Sequence, residues 1–304
     1  MRKEFTIQMC ALFEKSPFIF LTGDLGFNAF ETLRDVMKNK FINTGIAEQN
    51  MISVGAGLCS RGFRVFVYSI APFCYARPFE QIRNDVCHHA LPLTLVGNGG
   101  GYGYGVQGPS HHALEDYGVL TTLQNMKAYI PAFAKDLNVI VQHIIDRPLP
   151  SYLRLGRCEI PANFQPPEYA PWRQLLKGDA GIVICVGPLA GSLLGDFIKM
   201  KPLERPDLWA LCELPIPDIP KQIIEDIAIG KRLLVAEEHV SRGSAGEMLA
   251  YMCMKIGLTP AAFFHHHAQG YPSGLYGSQN FHRAESRLDA VDIMKTLSQG
   301  QTKK

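Results

Sequence analysis

Apolar segments of strand length alternate with amphipathic segments of helix length, and this alternation constrains the fold more than any other feature of the chain. Helix-length segments at 77–89 and 134–146 separate apolar runs in the first half. Near-continuous apolar strands separated by helices are typical of a parallel sheet that helices cover on both faces. The first six strands are predicted at 18–24, 41–45, 64–70, 93–98, 126–132 and 151–156.

A proline-rich segment interrupts the alternation once. Residues 158–172 contain four prolines and show no clear period, which is typical of an extended linker. A second series of strands is predicted at 181–187, 208–214, 232–238 and 262–267. A chain of 304 residues is long enough for two cores. We therefore predict an α/β fold with two doubly wound domains, a mostly parallel sheet in 1–160 and a smaller domain in 174–304, joined by a linker at 161–173.

Composition argues against several classes of protein. The net charge of +2 gives no electrostatic reason to expect nucleic acid or an anionic membrane as partner. No apolar run reaches the roughly 18 residues that a transmembrane helix needs. The eight cysteines form no C-x-x-C pair and mostly lie in apolar runs, which predicts free thiols and a cytoplasmic location.

One carboxylate follows the second predicted strand. Residues 41–50 read FINTGIAEQN, and Glu48 falls in the first turn of a helix predicted at 46–60. Open parallel sheets bind ligands beyond the carboxyl ends of their strands, which favours a functional role for Glu48. Judged by position alone, a glutamate at a helix start usually just complements the helix dipole.

A glycine loop with two histidines follows the fourth predicted strand. Residues 97–116 read GNGGGYGYGVQGPSHHALED. Gly103, Gly105 and Gly108 satisfy G-x-G-x-x-G, but no helix opens there and no acid lies about 20 residues on, so a dinucleotide site is not predicted. His112 is predicted to belong to the helix that follows.

These two segments resemble the transketolase family, whose enzymes depend on thiamine diphosphate. GIAEQN is similar to the family's cofactor-activating segment, and GPSH is similar to a G-P-[TS]-H segment of its active-site channel. The resemblance implies that Glu48 hydrogen-bonds the cofactor's aminopyrimidine and activates it. It also implies that His111 contacts the sugar donor and moves protons, a task that suits imidazole near neutral pH.

The resemblance further implies an aromatic side chain that stacks on the aminopyrimidine. The run at 68–85 reads YSIAPFCYARPFEQIRND, in which Phe73 is the closest match, with Tyr68 and Tyr75 as alternatives. Packing in the core is the competing interpretation for each of them. The charged residues that follow, beginning with Arg77, are predicted to form ion pairs on a helix surface.

Other positions bear on the cofactor site and on the substrate. Asp24, in TGDLG, resembles a residue that shapes the cofactor site or a subunit contact, although a turn-capping role is equally compatible. Arg157 matches the family's phosphate-binding arginine more closely than Arg154, and an interdomain ion pair is the alternative. Gln107 stands where full-length transketolases carry an aspartate that reads a donor hydroxyl, and Gly99 replaces a histidine. The resemblance therefore implies that the part of the site that recognises the sugar donor differs from that of full-length transketolases.

The second half of the chain contains two clusters that resemble metal ligand sets. Histidines and carboxylates are common zinc ligands. Because adjacent residues of a strand point to opposite faces, chelation by either cluster is not predicted. The segment LLVAEEHVSRGSAGE, which contains the two glutamates and the histidine of one cluster, resembles a subunit-assembly loop of the family. The clusters are Glu237, Glu238 and His239, and His265, His266 and His267.

The family's diphosphate- and metal-binding motif, G-D-G with a downstream asparagine, does not occur in this sequence. The resemblance covers only the pyrimidine-binding part, at 1–160, and the C-terminal part. It therefore implies a separate subunit that holds the diphosphate and a divalent metal such as Mg²⁺, in an α2β2 assembly. The implied reaction is transfer of a two-carbon ketol unit from a ketose, as sugar or sugar phosphate, to an aldehyde or ketone. The alternatives are a β subunit of a 2-oxoacid dehydrogenase or another decarboxylating enzyme, and a non-catalytic regulatory subunit.

Overall fold

The computed structural model describes residues 1–26 and 28–299. The first half contains α1 (Arg2–Lys15), β1 (Ile19–Thr22), α2 (Glu31–Met37), β2 (Phe41–Asn43), α3 (Glu48–Ser60), β3 (Val65–Ile70), α4 (Ala71–Tyr75), α5 (Phe79–Gln81), β4 (Leu93–Asn98), α6 (Asp116–Leu120), β5 (Lys127–Tyr129), α7 (Asp136–Asp146) and β6 (Ser151–Leu155). The second half contains β7 (Trp172–Leu176), β8 (Ile182–Val186), α8 (Leu189–Phe197), β9 (Asp207–Leu211), β10 (Glu213–Leu214), α9 (Lys221–Ala228), β11 (Leu233–Glu237), α10 (Ala245–Lys255), β12 (Phe263–His267), α11 (Gln279–Glu285) and α12 (Ala290–Ser298).

The strands form two sheets. The larger has the order β10-β5-β6-β4-β3-β1-β2, in which only β10 runs antiparallel. The smaller has the order β12-β11-β8-β9-β7, with β7 as an antiparallel edge strand. The predicted α/β class, with one mostly parallel sheet and a smaller second one, is confirmed. The carboxyl ends of β1, β2, β3 and β4 meet at one edge of the larger sheet, because these strands are parallel neighbours.

The strand predicted at 208–214 is wrong in one respect, because the chain changes sheets within it. β9 pairs with β8 in the smaller sheet, whereas β10 pairs with β5 in the larger one. At the crossing, Cys212 donates its N–H to Pro171 and accepts from Ile130. The local apolar pattern does not indicate that the two halves of this predicted strand, β9 and β10, join different sheets. This crossing ties the two sheets together.

The helix predicted at 77–89 is also different in the structure. α4 begins earlier, a turn at 76–78 interrupts the helical path, and a π-helical segment, Ile82–Cys87, follows α5. Pro78 accounts for the break, because it lacks an N–H and disfavours helical geometry at the residue before it. Arg77 therefore lies on a turn between two short helices.

The predicted domain boundaries remain a prediction. β7 begins at Trp172, inside the linker predicted at 161–173. The end of the predicted second domain, 300–304, lies outside the described residues. None of the described helices is long and apolar enough to cross a bilayer.

Candidate functional site

The start of α3 is held by a small hydrogen-bonded clamp between the ends of β1 and β2. The Asn43 side chain accepts the N–H groups of Asp24 and Gly45, both at 3.0 Å, and donates to the Asp24 carboxylate at 2.8 Å. Asp24 takes a positive φ of 56°, which an aspartate tolerates better than most residues. The clamp fixes the turn that leads into Glu48, and Asp24 is joined to this turn through Asn43.

Glu48 lies in the first turn of α3, as predicted, although the helix begins at Glu48 itself and not at Ile46. Its side chain is only 3% exposed. Its carboxylate is bound by Arg77, whose Nη1 lies 3.0 Å from Oε1 and 2.9 Å from Oε2. Ser69 donates a longer hydrogen bond, at 3.4 Å, to Oε1. The prediction that Arg77 pairs on a helix surface is therefore wrong. Sequence reasoning missed this contact because 29 residues separate the partners.

Phe73 and His111 lie beside this ion pair. The Arg77 guanidinium carbon is 3.8 Å from the centre of the Phe73 ring. The His111 ring lies 5.4 Å from that of Phe73 and 5.7 Å from that of Tyr104, centre to centre. Ser110 hydrogen-bonds His111 Nδ1 at 2.8 Å, so Nε2 is the nitrogen that has no partner among the described residues. The structure thus brings Glu48, Phe73 and His111 together.

Tyr68 and Tyr75, the other aromatic candidates, are placed differently. Tyr68 is 2% exposed and packs edge-on against Phe30, at 4.5 Å between ring centres. Because side chains alternate along β3, it points away from the face on which Ser69 contacts Glu48. Burial raises the pKa of its phenol. Tyr75 is buried and donates to Glu115 at 3.1 Å.

The predicted substrate residues lie around this cluster at the surface. Gln107 is exposed on the 3₁₀ segment Gly105–Ser110 that precedes His111. Arg157 is exposed and lines a cavity of about 380 Å³ together with Asn98, Gly99 and Tyr104. Neither of the two predicted residues contacts Glu48.

Arg154 is buried and holds the histidine loop in place. Its Nε donates to Asp116 at 2.7 Å, and its Nη2 donates to the carbonyls of Ala113 and Glu238 at 2.8 and 3.0 Å. Burial opposes its charge, but Asp116 offsets this and raises the pKa of Arg154. Arg154 therefore joins the first sheet, the loop and the second half of the chain, as an ion-paired residue within the protein.

The carboxylates of the second half are also engaged within the protein. Glu237 accepts from Tyr117, from His265 at 2.7 Å, and from the first N–H groups of α10. Although burial opposes it, the pKa of Glu237 is lowered, chiefly by the hydrogen bond and charge of His265. Glu238 accepts from Tyr102 N–H, Gln279 and Arg283. These bonds link the second sheet to the glycine loop.

His112 does not belong to the following helix, because α6 begins at Asp116. Its Nε2 donates to the Gly105 carbonyl and its Nδ1 accepts from the Tyr271 hydroxyl, both at 2.8 Å. Burial lowers the pKa of His112 to about 4, so the ring is neutral at pH 7. These two contacts fix the loop before His111. In the sequence, His112 is marked only as the second residue of the HH doublet.

The comparison that decides the family covers more than half of the chain. The family described as transketolase, pyrimidine binding domain, matches residues 1–162. The chain belongs to the transketolase family. The family prediction made from GIAEQN and GPSH is thereby confirmed.

Individual relatives support this membership, and one solved structure supports the fold. One of the subunits of the apulose-4-phosphate transketolase of Phocaeicola vulgatus is 35% identical over 229 residues, 72% of this chain and 72% of that protein. The 1-deoxy-D-xylulose-5-phosphate synthase of Clostridium perfringens (strain ATCC 13124) is 25% identical over 229 residues, which span 74% of this chain and 37% of that protein. Among solved structures, one described as a split gene transketolase, inactive beta4 tetramer, has a TM-score of 0.80 at 24% identity and covers 99% of this chain and 97% of its own.

A pyrimidine-binding domain of the transketolase family implies thiamine diphosphate, and the residues present fit the aminopyrimidine half of that cofactor. Phe73 and Glu48 already hold a flat group with N–H donors, the Arg77 guanidinium, against an aromatic face and a carboxylate. An aminopyrimidine is likewise flat and carries N–H donors. For the diphosphate half, no group of three or more His, Cys, Asp or Glu side chains in the described part of this transketolase-family chain could hold a metal ion.

Proposed function

We propose that this chain is the pyrimidine-binding subunit of a two-component, transketolase-like enzyme. The enzyme would transfer a two-carbon ketol unit from a ketose donor to an aldehyde or ketone acceptor. Family membership and the match to a protein named as one of the subunits of an apulose-4-phosphate transketolase support this reaction class. A phosphorylated ketose is the donor class that we propose.

The observation that carries the proposal is the buried carboxylate of Glu48 at the carboxyl edge of the parallel sheet, with Phe73 and His111 beside it. Thiamine diphosphate, when bound, supplies the carbanion chemistry that the reaction requires. Glu48 offers it a carboxylate at the aminopyrimidine, and Phe73 offers a ring face.

The substrate contacts that we propose come from the loop and the end of β6. His111, whose Nδ1 is held by Ser110, presents Nε2 for accepting and returning a proton at the donor. Arg157 lines the neighbouring cavity, and its planar guanidinium suits a phosphate group. Gln107 is exposed beside His111 and is proposed to contact a donor hydroxyl.

A partner subunit completes the site in this proposal. The relative from Phocaeicola vulgatus is named as one lettered subunit of its enzyme, which implies an enzyme of more than one kind of subunit. We propose that the partner binds the diphosphate through a divalent metal such as Mg²⁺, in an α2β2 assembly in the cytoplasm. Asp24, clamped to Asn43 at the sheet edge, is proposed to shape the cofactor site.

The test is ketol transfer by this chain reconstituted with its partner subunit, for the wild type and for Glu48→Gln. The substitution keeps the shape but removes the carboxylate, so we expect a rate lower by roughly 10²–10⁴-fold. Glu80→Gln, on the exposed side of α5, is the matched control and should leave the rate unchanged. Wild-type activity in the Glu48→Gln complex would show that Glu48 is not the activating residue.

A second candidate is a decarboxylating enzyme of the same family. The match to a protein named as a 1-deoxy-D-xylulose-5-phosphate synthase favours a second candidate, because that name describes a reaction other than transfer of a ketol unit by a transketolase. Release of CO₂ from a 2-oxoacid by the reconstituted complex, without ketol transfer between sugars, would decide for this candidate. A complex that binds thiamine diphosphate but catalyses neither reaction would instead indicate a regulatory subunit.

A further inference from the structure

We propose that Arg77 is a gate of the cofactor site, whose guanidinium fills the place of the aminopyrimidine ring until the cofactor displaces it. This inference rests on the proposed function, because it assumes that the group bound by Glu48 and Phe73 is an aminopyrimidine. It adds a residue that controls when that group can enter.

The contacts of Arg77 are those that the ring would need. Its guanidinium carbon lies over the Phe73 ring, 3.8 Å from the ring centre, and its Nη1 donates to both oxygens of Glu48. A guanidinium and an aminopyrimidine are both planar, delocalised groups with N–H donors, so they compete for one aromatic face and one carboxylate. The Glu48 side chain is 3% exposed, so a ligand cannot reach its carboxylate while Arg77 stays in place.

Arg77 also differs from the buried arginines that serve as permanent ion-pair partners. Arg154 is 4% exposed and donates to three groups, whereas the Arg77 side chain is 43% exposed and, among the described residues, hydrogen-bonds Glu48 alone. Because the Arg77 side chain is half exposed, its charge can move into water once a ligand takes over its contacts with Glu48 and Phe73.

The backbone at Arg77 suits this movement. The residue lies on the turn at 76–78, outside both α4 and α5, and precedes Pro78. Backbone adjustments that accompany rotation of its side chain toward solvent can therefore take place in the turn and leave α4 and α5 in place. Once Arg77 leaves, Glu48 is a buried carboxylate without a cationic partner, which is unfavourable until a new donor arrives. The gate should therefore open stably only for a flat ligand that donates to Glu48.

The test measures binding of thiamine diphosphate, with Mg²⁺, to the complex of this chain and its partner, by calorimetry and stopped-flow fluorescence. Arg77→Met removes the guanidinium, and Arg83→Met, on the exposed side of the same region, is the matched control. Because opening leaves Glu48 unpaired, the open state should be populated at about one part in ten or less, so Arg77→Met should bind at least about tenfold more tightly. The wild-type binding rate should level off at high cofactor concentration, because opening becomes limiting, and should not do so in Arg77→Met.

The possible outcomes distinguish failure of the gate from failure of the proposed function. Equal or weaker binding by Arg77→Met, with normal binding by the wild type, would overturn the gate but leave the proposed function intact. No binding by either complex would overturn both. If Arg77→Met does not fold, the gate can be tested by labelling the wild-type complex with an arginine-specific reagent. Arg77 should be modified faster when thiamine diphosphate is bound, and an equal or slower rate would contradict the gate.

Discussion

Replacing Arg154 with methionine should destabilise the protein and loosen the loop that carries His111. Arg154 is 4% exposed and pairs with Asp116, which is fully buried and also accepts from Tyr152 at 2.7 Å. Methionine keeps much of the side-chain volume but leaves the Asp116 charge without its cation. The carbonyls of Ala113 and Glu238 lose their donor as well.

The size of the effect follows from the burial of both partners. Removing one member of a buried ion pair typically costs about 3–5 kcal/mol, because the other charge stays buried and unpaired. The two carbonyls place Arg154→Met toward the upper end of this range, since unpaired buried acceptors add about 1–3 kcal/mol each but do not add independently. At about 2 °C per kcal/mol for a chain of this size, the melting temperature should fall by roughly 6–10 °C.

Thermal and urea unfolding, followed by circular dichroism, would measure the change. Arg157→Met, three positions along and exposed, is the matched control and should shift the unfolding free energy by less than about 0.5 kcal/mol. The double variant Asp116→Asn/Arg154→Met should recover part of the loss, because no charge is then left unpaired. A loss below about 1 kcal/mol for Arg154→Met, or strictly additive effects in the double variant, would refute the reasoning.

Two further predictions concern α3 and the loop. A Cβ at Gly55 would lie 2.7 Å from Leu93 Cδ1, so Gly55→Ala should cost about 1–2 kcal/mol. A Cβ at Gly57 would meet no described atom within 4 Å apart from the neighbouring backbone of its own helix, so Gly57→Ala should stabilise the helix by up to about 1 kcal/mol. Equal effects of the two substitutions in urea unfolding would contradict the packing. Below pH 6.5 the unfolded chain protonates His112, but the folded chain does so only near its pKa of about 4. Stability should therefore fall by about 2 kcal/mol more in the wild type than in His112→Gln between pH 6.5 and 4, and parallel pH curves would contradict this assignment.

Much of the site could be predicted because its main signals are contiguous in sequence. GIAEQN places Glu48 at a helix start after a strand, and the structure puts it there. The resemblance favours Phe73 over Tyr68 and Tyr75, but the periodicity of the sequence does not distinguish the three. The choice depends on which face of the sheet each ring meets, and Tyr68 points away from Glu48 while Phe73 lies beside Arg77.

The sequence by itself determined the α/β class, the family and the position of Glu48, because alternation and short motifs are properties of neighbouring residues. Tertiary structure alone decided that Arg77 covers Glu48, that Arg154 reaches Glu238 across 84 positions, and that β10 leaves its neighbour β9 to join the other sheet. In each case the partner is distant in sequence, and its identity depends on which buried charge or unpaired backbone group the folded chain brings within hydrogen-bonding reach.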